Sequence, residues 1–182
     1  MQIIINLKER RKMKIKVKML NHKCLFDFID KGEWIDLRAA STVTLNAPYA
    51  NTLNGNRTKR DVVFDYQLIP LGFAMELPKE FEAHVVPRSS TFKTWGMIQS
   101  NHIGIIDSSY SSDTDEWKMP VIAFKDAVIN EGDKICQFRI MPSQKASFWT
   151  KLKWMFTTKI EFDYVDSLNN ESRGGFGTTG AN

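Results

Sequence analysis

Apolar residues recur at every second position in several short stretches of the chain, which is the period of a β-strand with one buried face. Met13–Met19 alternates apolar residues with lysines, a pattern typical of a half-buried edge strand. Phe81–Val86 and Ile160–Tyr164 alternate in the same way. Three further stretches have the composition of strands bounded by turn residues: Gln67–Leu77, Pro120–Lys125 and Ile135–Ile140.

One stretch has helical spacing instead. Within Ser147–Phe156, apolar side chains fall three or four residues apart at Phe148, Leu152 and Met155, which predicts a short amphipathic helix. The connections elsewhere are rich in Gly, Asn, Asp and Ser, as turns are. We therefore expect an all-β barrel or sandwich with one short helical insertion.

The length of 182 residues predicts one compact domain with a substantial core. We place this β domain at residues 1–170, with 1–12 as a loose leader and with 46–66 and 143–158 as insertions. Residues 171–182 are predicted to be a flexible arm, because four of the eight residues 173–180 are glycines. Such a segment cannot build a core, but its N–H groups can converge on an anion.

Composition narrows the class of ligand. Twenty-five basic and twenty-one acidic residues give a net charge of +4, which suits an anionic ligand. Direct nucleic-acid binding is not expected, since the chain has no arginine-rich stripe with interleaved aromatic residues. A membrane span is not expected either. Cys24 and Cys136 lie in apolar surroundings without metal-ligand spacing, which indicates core residues in a reducing cytoplasm.

Candidate chemistry concentrates between Pro87 and Tyr110. Arg88–Ser90 forms a basic, hydroxyl-rich turn, and an amide and a carboxylate follow at Asn101 and Asp107. Gly104 and the neighbouring isoleucines predict a strand-turn-strand hairpin over residues 101–110. This set suits the binding and hydrolysis of a small phosphorylated ligand that carries a ring. An aspartate at a strand end is more often a turn former, so a purely structural role stays open.

Five segments, in this order, resemble the trimeric deoxyuridine triphosphatase (dUTPase) family, and specifically its Gram-positive bacterial and phage form. They are Trp34–Ala40, Pro87–Ser90, Asn101–Tyr110, Gly132–Ile140 and Arg173–Gly180. The resemblance implies a jelly-roll-like β fold and a homotrimer with active sites at subunit contacts. It also implies Mg²⁺-dependent hydrolysis of dUTP to dUMP and pyrophosphate, which limits uracil incorporation into DNA and supplies dUMP for dTMP synthesis.

The same resemblance assigns roles around the nucleoside. Asp107 would orient and activate the water that attacks the α-phosphorus. Asn101 and the backbone at Gly104 and Ile105 would bind the uracil edge. Tyr110 would lie against the deoxyribose and exclude a 2′-hydroxyl.

Further roles concern the phosphates and the metal ion. Arg88, Ser89, Ser90 and Gln137 would contact the phosphates, and Asp36 would face a hydrated Mg²⁺ through water. The resemblance gives the arm three roles: Arg173 would pair with the terminal phosphate, Phe176 would stack on the uracil, and Gly177, Thr178 and Thr179 would wrap the triphosphate.

Two alternatives stay open. A dCTP deaminase-type relative needs a general-base glutamate at the hairpin, and none stands at a persuasive position. A nucleotide-dependent protein-binding module would contact a protein partner through the insertions, of which 143–158 is aromatic and lysine-bearing. The chain also departs from many relatives at Trp34–Ile35 and at Ser111–Ser112, where an acidic loop over 111–116 is expected to be solvated.

Overall fold

The computed structural model describes residues 11–28, 33–52, 60–172 and 174–175. Within these ranges the chain forms fifteen β-strands and two short α-helices, which confirms the prediction of an all-β fold with a short helical insertion. The strands are β1 (Arg11–Met19), β2 (Asp27–Phe28), β3 (Ile35–Arg38), β4 (Val43–Leu45), β5 (Tyr49–Thr52), β6 (Arg60–Val63), β7 (Tyr66–Pro70), β8 (Phe73–Glu76), β9 (Phe81–Pro87), β10 (Met97–Gln99), β11 (Gly104–Asp107), β12 (Lys118–Ala123), β13 (Ala127–Ile129), β14 (Lys134–Pro142) and β15 (Thr157–Tyr164). The helices are α1 (Thr91–Trp95) and α2 (Phe148–Met155).

A five-stranded antiparallel sheet carries most of the predicted site residues. Its strands lie in the order β11-β9-β14-β3-β2. Along β9 and β14, buried residues alternate with half-buried or exposed ones, so one face of the sheet packs on the core and the other faces outward. The outward face includes Glu82, His84 and Arg139, which lie on neighbouring strands.

The lysine-bearing strand β1 is not an edge strand, which corrects the sequence-based expectation. It lies in the middle of a three-stranded sheet, parallel to β15 on one side and antiparallel to β8 on the other. Its lysines meet acidic side chains of both neighbours, as Lys12 does at Glu161 (2.7 Å) and Lys16 at Glu76 (3.0 Å). The alternating lysines therefore indicate that one face of β1 is exposed to solvent. They do not indicate that the strand lies at the edge of its sheet.

The expected long strand Gln67–Leu77 is two strands, β7 and β8, separated by a turn at Gly72. Gly72 has φ +78°, a backbone conformation that favours glycine. A Cβ there would also stand 2.9 Å from Cys24 Sγ. The Gly72 carbonyl accepts hydrogen bonds from the N–H groups of Leu20 and Asn21, so the turn joins the end of β1 to the body of the fold.

The predicted hairpin over residues 101–110 is also different. β10 and β11 flank the turn at residues 100–103, but β10 pairs with β12 whereas β11 pairs with β9. The turn therefore links two sheets. Helix α1 was not predicted; it ends at Gly96, in the left-handed region with φ +61°.

The core is aromatic at its centre. Trp117 packs against Phe73 and Phe138, with ring centroids 4.9 and 5.4 Å apart, and all three are fully buried. Cys24 and Cys136 are buried free thiols, as the sequence predicted. Neither α1 nor α2, the helices of the described ranges, has the length and apolar character needed to cross a membrane.

Candidate functional site

Asp36, on β3, is a buried carboxylate balanced by two cations. Only 2% of its side chain is exposed. Arg88 Nε lies 2.9 Å from Asp36 Oδ1, and Lys134 Nζ lies 3.4 Å from Oδ2. Gln137 lies directly opposite Asp36 on the neighbouring strand. We call Asp36, Arg88, Lys134 and Gln137 the arginine cluster.

Strand register builds the arginine cluster from three distant parts of the sequence. Arg88 follows the end of β9, and its Nη1 also donates to the Lys134 carbonyl oxygen at 3.3 Å. An irregularity in β14 between Lys134 and Cys136 shifts the pairing with β3 by one residue. Ser89 and Ser90, exposed in the turn before α1, continue this polar surface. This surface therefore offers an anionic phosphate two cations and two hydroxyl groups as binding partners.

The arginine cluster does not have the donor set of a metal cage. Both oxygens of Asp36 face a cation, which opposes the approach of Mg²⁺. No group of three or more His, Cys, Asp or Glu side chains among the described residues is arranged to hold a metal ion. Contact between Asp36 and Mg²⁺ through water therefore stays a prediction, and direct ligation does not fit.

The second set of predicted residues lies on residues 99–110, which we call the base loop. Asn101 is exposed in the turn, and its Oδ1 accepts a hydrogen bond from Gln99 Nε2 at 2.8 Å. Gly104 begins β11 beside it, and Ile105 is exposed on the outward face of the sheet. The base loop therefore presents an amide, a glycine and an apolar side chain side by side.

Asp107 ends β11, where a local turn holds its carboxylate. Both the N–H and the hydroxyl of Ser109 donate to Asp107 Oδ1, at 2.9 and 2.5 Å. These hydrogen bonds fix the orientation of the carboxylate. Glu82 stands directly opposite on β9, and its Oε1 is turned to His84 Nε2 at 2.8 Å. The sequence alone gave this aspartate a turn-forming or a chemical role, and its geometry is compatible with both.

Tyr110 is covered by the C-terminal part of its own chain. Its hydroxyl donates to the Glu116 carbonyl oxygen at 3.1 Å. A Cβ on Gly175 would stand 2.7 Å from Tyr110 Cε2, so the backbone at Gly175 lies directly against the ring. The backbone at Gly175 therefore packs against the ring of Tyr110.

The acidic loop 111–116 is not a solvated excursion, which corrects a further expectation. Asp113 accepts hydrogen bonds from Ser167 Oγ (2.6 Å) and from the Leu168 N–H (2.7 Å). Asp115, almost fully buried, accepts one from Ser172 Oγ at 2.6 Å. We call residues 166–172 and 174–175 the C-terminal segment. The loop anchors this segment beside the base loop of the same chain.

The arginine cluster and Asp107 are far apart within one chain. Both lie on the outward face of the five-stranded sheet, and three strand spacings separate β11 from β3. Along β9, four residues separate Glu82, opposite Asp107, from Val86, opposite Gln137. With about 4.8 Å between strands and about 3.3 Å per residue, the two sites are roughly 20 Å apart.

Several predictions lie outside the described residues or stay untested. Arg173, Phe176, Gly177, Thr178 and Thr179 are not among the residues that the structure describes, so their roles stay predictions. The same holds for the domain boundaries and for a protein partner. Helix α2 does expose Phe148, Trp149 and Met155 on one insertion, but the structure does not identify what covers them.

Sequence reasoning missed three features of this surface: Lys134 at Asp36, the anchoring aspartates Asp113 and Asp115, and the Gln99 amide beneath Asn101. A buried polar residue next to a turn was the available signal for Gln99. The other two depend on contacts between segments about 50 or more residues apart in sequence, which no local pattern encodes.

Comparison with known sequences agrees with this geometry. A family model described as dUTPase matches residues 59–180. The SPbeta prophage-derived deoxyuridine 5'-triphosphate nucleotidohydrolase YosS of Bacillus subtilis (strain 168) is 43% identical over 169 residues, covering 92% of this chain and 99% of that protein. The deoxyuridine 5'-triphosphate nucleotidohydrolase of Gamma-proteobacterium EBAC31A08 is 36% identical over 121 residues, covering 64% of this chain and 75% of the other.

Solved structures share the fold. The dUTPase of Streptococcus mutans superposes with a TM-score of 0.58 at 15% identity, covering 72% of this chain and 98% of that one. A mutant dUTPase from phage phi11 of S. aureus, described with a structural Mg(II) ion, superposes with a TM-score of 0.55 at 16% identity, covering 74% and 94%. At these identities the likeness concerns the fold alone.

Proposed function

The chain belongs to the dUTPase family, and from this premise we propose that it hydrolyses dUTP to dUMP and pyrophosphate with Asp107 activating the attacking water. In a cell this reaction would limit uracil incorporation into DNA and supply dUMP for dTMP synthesis. The observation that carries the proposal is the ordered carboxylate at the end of β11, next to a loop with an amide and a glycine.

In the proposed reaction, Asp107 accepts a proton from water while the water oxygen bonds to the α-phosphorus. The bond from the α-phosphorus to the bridging oxygen breaks, and pyrophosphate leaves with the electron pair. The two hydrogen bonds from Ser109 restrict the carboxylate, which supports its role in orienting the water.

The proposed binding roles follow the two sets of residues. Asn101 with the backbone at Gly104 and Ile105 receives the uracil edge, and Tyr110 lies against the deoxyribose. Arg88, Ser89, Ser90 and Gln137 receive the phosphates, and Lys134 adds a second cation near them. Mg²⁺ would be bound mainly by the phosphate oxygens of the substrate.

We further propose that each site combines the base loop of one copy with the arginine cluster of another, in a homotrimer. The roughly 20 Å between Asp107 and Asp36 in one chain is longer than three consecutive phosphates. A row of apolar side chains also crosses the sheet β10-β12-β7, formed by Ile98, Ile122 and Tyr66, and its two ends are exposed. Such a face supports burial against a second copy.

Pyrophosphate release from dUTP, dTTP, dCTP and UTP, compared side by side in Mg²⁺, tests the proposal. We expect release from dUTP alone. Asp107→Asn should lower kcat by about 10²–10⁴-fold, because the water loses its proton acceptor, and it should keep dUTP binding measured by calorimetry. Release of ammonia from dCTP would identify a deaminase instead. Negligible turnover of dUTP by the wild type would contradict hydrolysis.

A further inference from the structure

Gln99 is a buried amide at the start of the base loop, in contact with Asn101. It ends β10, and only 4% of the residue is exposed. Its Nε2 donates to two acceptors, the Val85 carbonyl oxygen at 3.1 Å and Asn101 Oδ1 at 2.8 Å. Its Oε1 is buried and has no hydrogen-bond partner within the described ranges. Burying a polar oxygen without a hydrogen-bond donor costs free energy of folding. We therefore ask what the two hydrogen bonds from Gln99 Nε2 do for the site.

The backbone contact fixes which way both amides point. The oxygen of Val85 is a main-chain carbonyl and only accepts, so the Gln99 atom that faces it must be the NH₂ group. That NH₂ group also faces Asn101, so the Asn101 atom in contact must be Oδ1. The Asn101 NH₂ group is therefore the end that remains to donate to a ligand.

The space beside this donor is kept open by a glycine. A Cβ at Gly104 would stand 3.4 Å from Gln99 Nε2 and 3.7 Å from Asn101 Nδ2. The Asn101 amide thus lies beside the bare backbone that begins β11. A planar ring edge can approach the donor here, which a longer side chain at position 104 would hinder.

We propose that Gln99 is a positioning residue that sets base specificity by holding the Asn101 NH₂ group toward the base. The proposal rests on the proposed function, because it assumes a pyrimidine nucleotide at the base loop. Uracil has a carbonyl oxygen at position 4, which accepts a hydrogen bond from this NH₂ group. Cytosine has an amino group there, and two donors would face each other. Gln99 thereby selects uracil without touching it.

The test replaces Gln99 and measures kcat/KM for dUTP and for dCTP by pyrophosphate release. Gln99→Met removes both donors and frees the Asn101 amide to rotate, so the preference for dUTP over dCTP should fall. In Gln99→Glu, the neutral acid donates to Val85 and accepts from Asn101, which turns the Asn101 oxygen toward the base. We expect the dUTP to dCTP ratio to fall by about tenfold or more in Gln99→Glu.

Asn21→Leu is the matched control. The Asn21 Nδ2 also joins a backbone carbonyl oxygen, that of Ala40 (2.8 Å), to a side-chain oxygen, Glu131 Oε1 (2.7 Å). Asn21→Leu should lose stability by the same mechanism and keep the wild-type ratio. A role of Gln99 in packing alone would leave the ratio unchanged in the Gln99 variants as well.

Asn101→Asp provides an independent variant on an exposed residue. Its Oδ1 still accepts from Gln99, and its second oxygen replaces the NH₂ group facing the base, so the ratio should fall as in Gln99→Glu. A ratio within twofold of wild type in the folded Gln99 variants overturns the proposal. If those variants do not fold, an unchanged ratio in Asn101→Asp overturns it. Failure of the proposed function is a distinct result, because the wild type would then release no pyrophosphate from dUTP.

Discussion

At the scale of single residues, the buried carboxylate of Asp36 is paired with two cations from distant parts of the sequence. Arg88 and Lys134 face its two oxygens, and the carboxylate itself has almost no access to water. Arg88 is one-third exposed, so solvent screens the pair from one side. The pair therefore fixes the orientation of Arg88 at the surface that we propose binds phosphates.

Asp36→Asn should destabilise the fold and misplace Arg88. Removing one partner of a largely buried ion pair leaves cations without compensation, which we expect to lower the free energy of unfolding by roughly 2–4 kcal/mol. Urea denaturation measures this change. Glu161→Gln, which removes the half-buried partner of the exposed Lys12, is the control and should lower the free energy of unfolding by less than about 1 kcal/mol. If Asp36→Asn and the wild type have the same free energy of unfolding, the ion pair does not stabilise the fold.

The sequence predicted Asp36 and Arg88 as members of two separate segments, but it did not predict their contact. The contact requires β9, β14 and β3 to be neighbours in this order, and β14 to carry an irregularity that offsets Lys134. Residue identity follows from local patterns and from family resemblance. Which of these residues contact each other depends on the order and register of the strands, and a single sequence does not specify these.

At the scale of elements, the C-terminal segment is attached through the loop 111–116. Hydrogen bonds from the Ser167 hydroxyl and then from the Leu168 N–H hold the pKa of Asp113 below its ordinary value of 3.8. A carboxyl group with a depressed pKa in the folded state stabilises that state above the pKa of the unfolded chain. The contribution is lost as pH falls through the folded pKa.

We therefore predict that acid releases the C-terminal segment. Hydrogen exchange at the Leu168 amide, corrected for the intrinsic rate, should show protection at pH 6 that declines as pH falls below about 4. Asp113→Asn should show low protection at both pH values, because its amide accepts more weakly than a carboxylate. Equal protection of the wild-type amide at pH 3 and pH 6 would contradict this account of the anchor.

Strand patterns in the sequence located the long strands β1, β9, β12, β14 and β15 but not the short strands β2, β4, β5, β6 and β13, and the errors have specific causes. The lysines of β1 suggested an edge, but β15 returns from far along the chain to pair beside it. Gln67–Leu77 was predicted as one strand, although Pro70 and Gly72 stand at the point where it breaks. Both errors concern tertiary structure. The β-propensity of a segment indicates that it forms a strand, but not which strands pair with it or where the pairing is interrupted.

At the scale of the whole molecule, the two halves of the candidate site do not meet within one chain. Three strand spacings separate β11, which ends at Asp107, from β3, which carries Asp36, and an apolar row with exposed ends lies on the sheet β10-β12-β7. The proposed closed assembly of identical copies would join the two halves and would cover the apolar row.

Mixed trimers of Asp107→Asn and Arg88→Gln test this claim most directly. Each variant should be inactive alone, since every site lacks one half. After unfolding and refolding an equal mixture, a site that joins Asp107 of one copy to Arg88 of another should be intact in about one quarter of cases, so pyrophosphate release from dUTP should return to about a quarter of the wild-type rate. A mixture no more active than its two parents would contradict a site shared between copies.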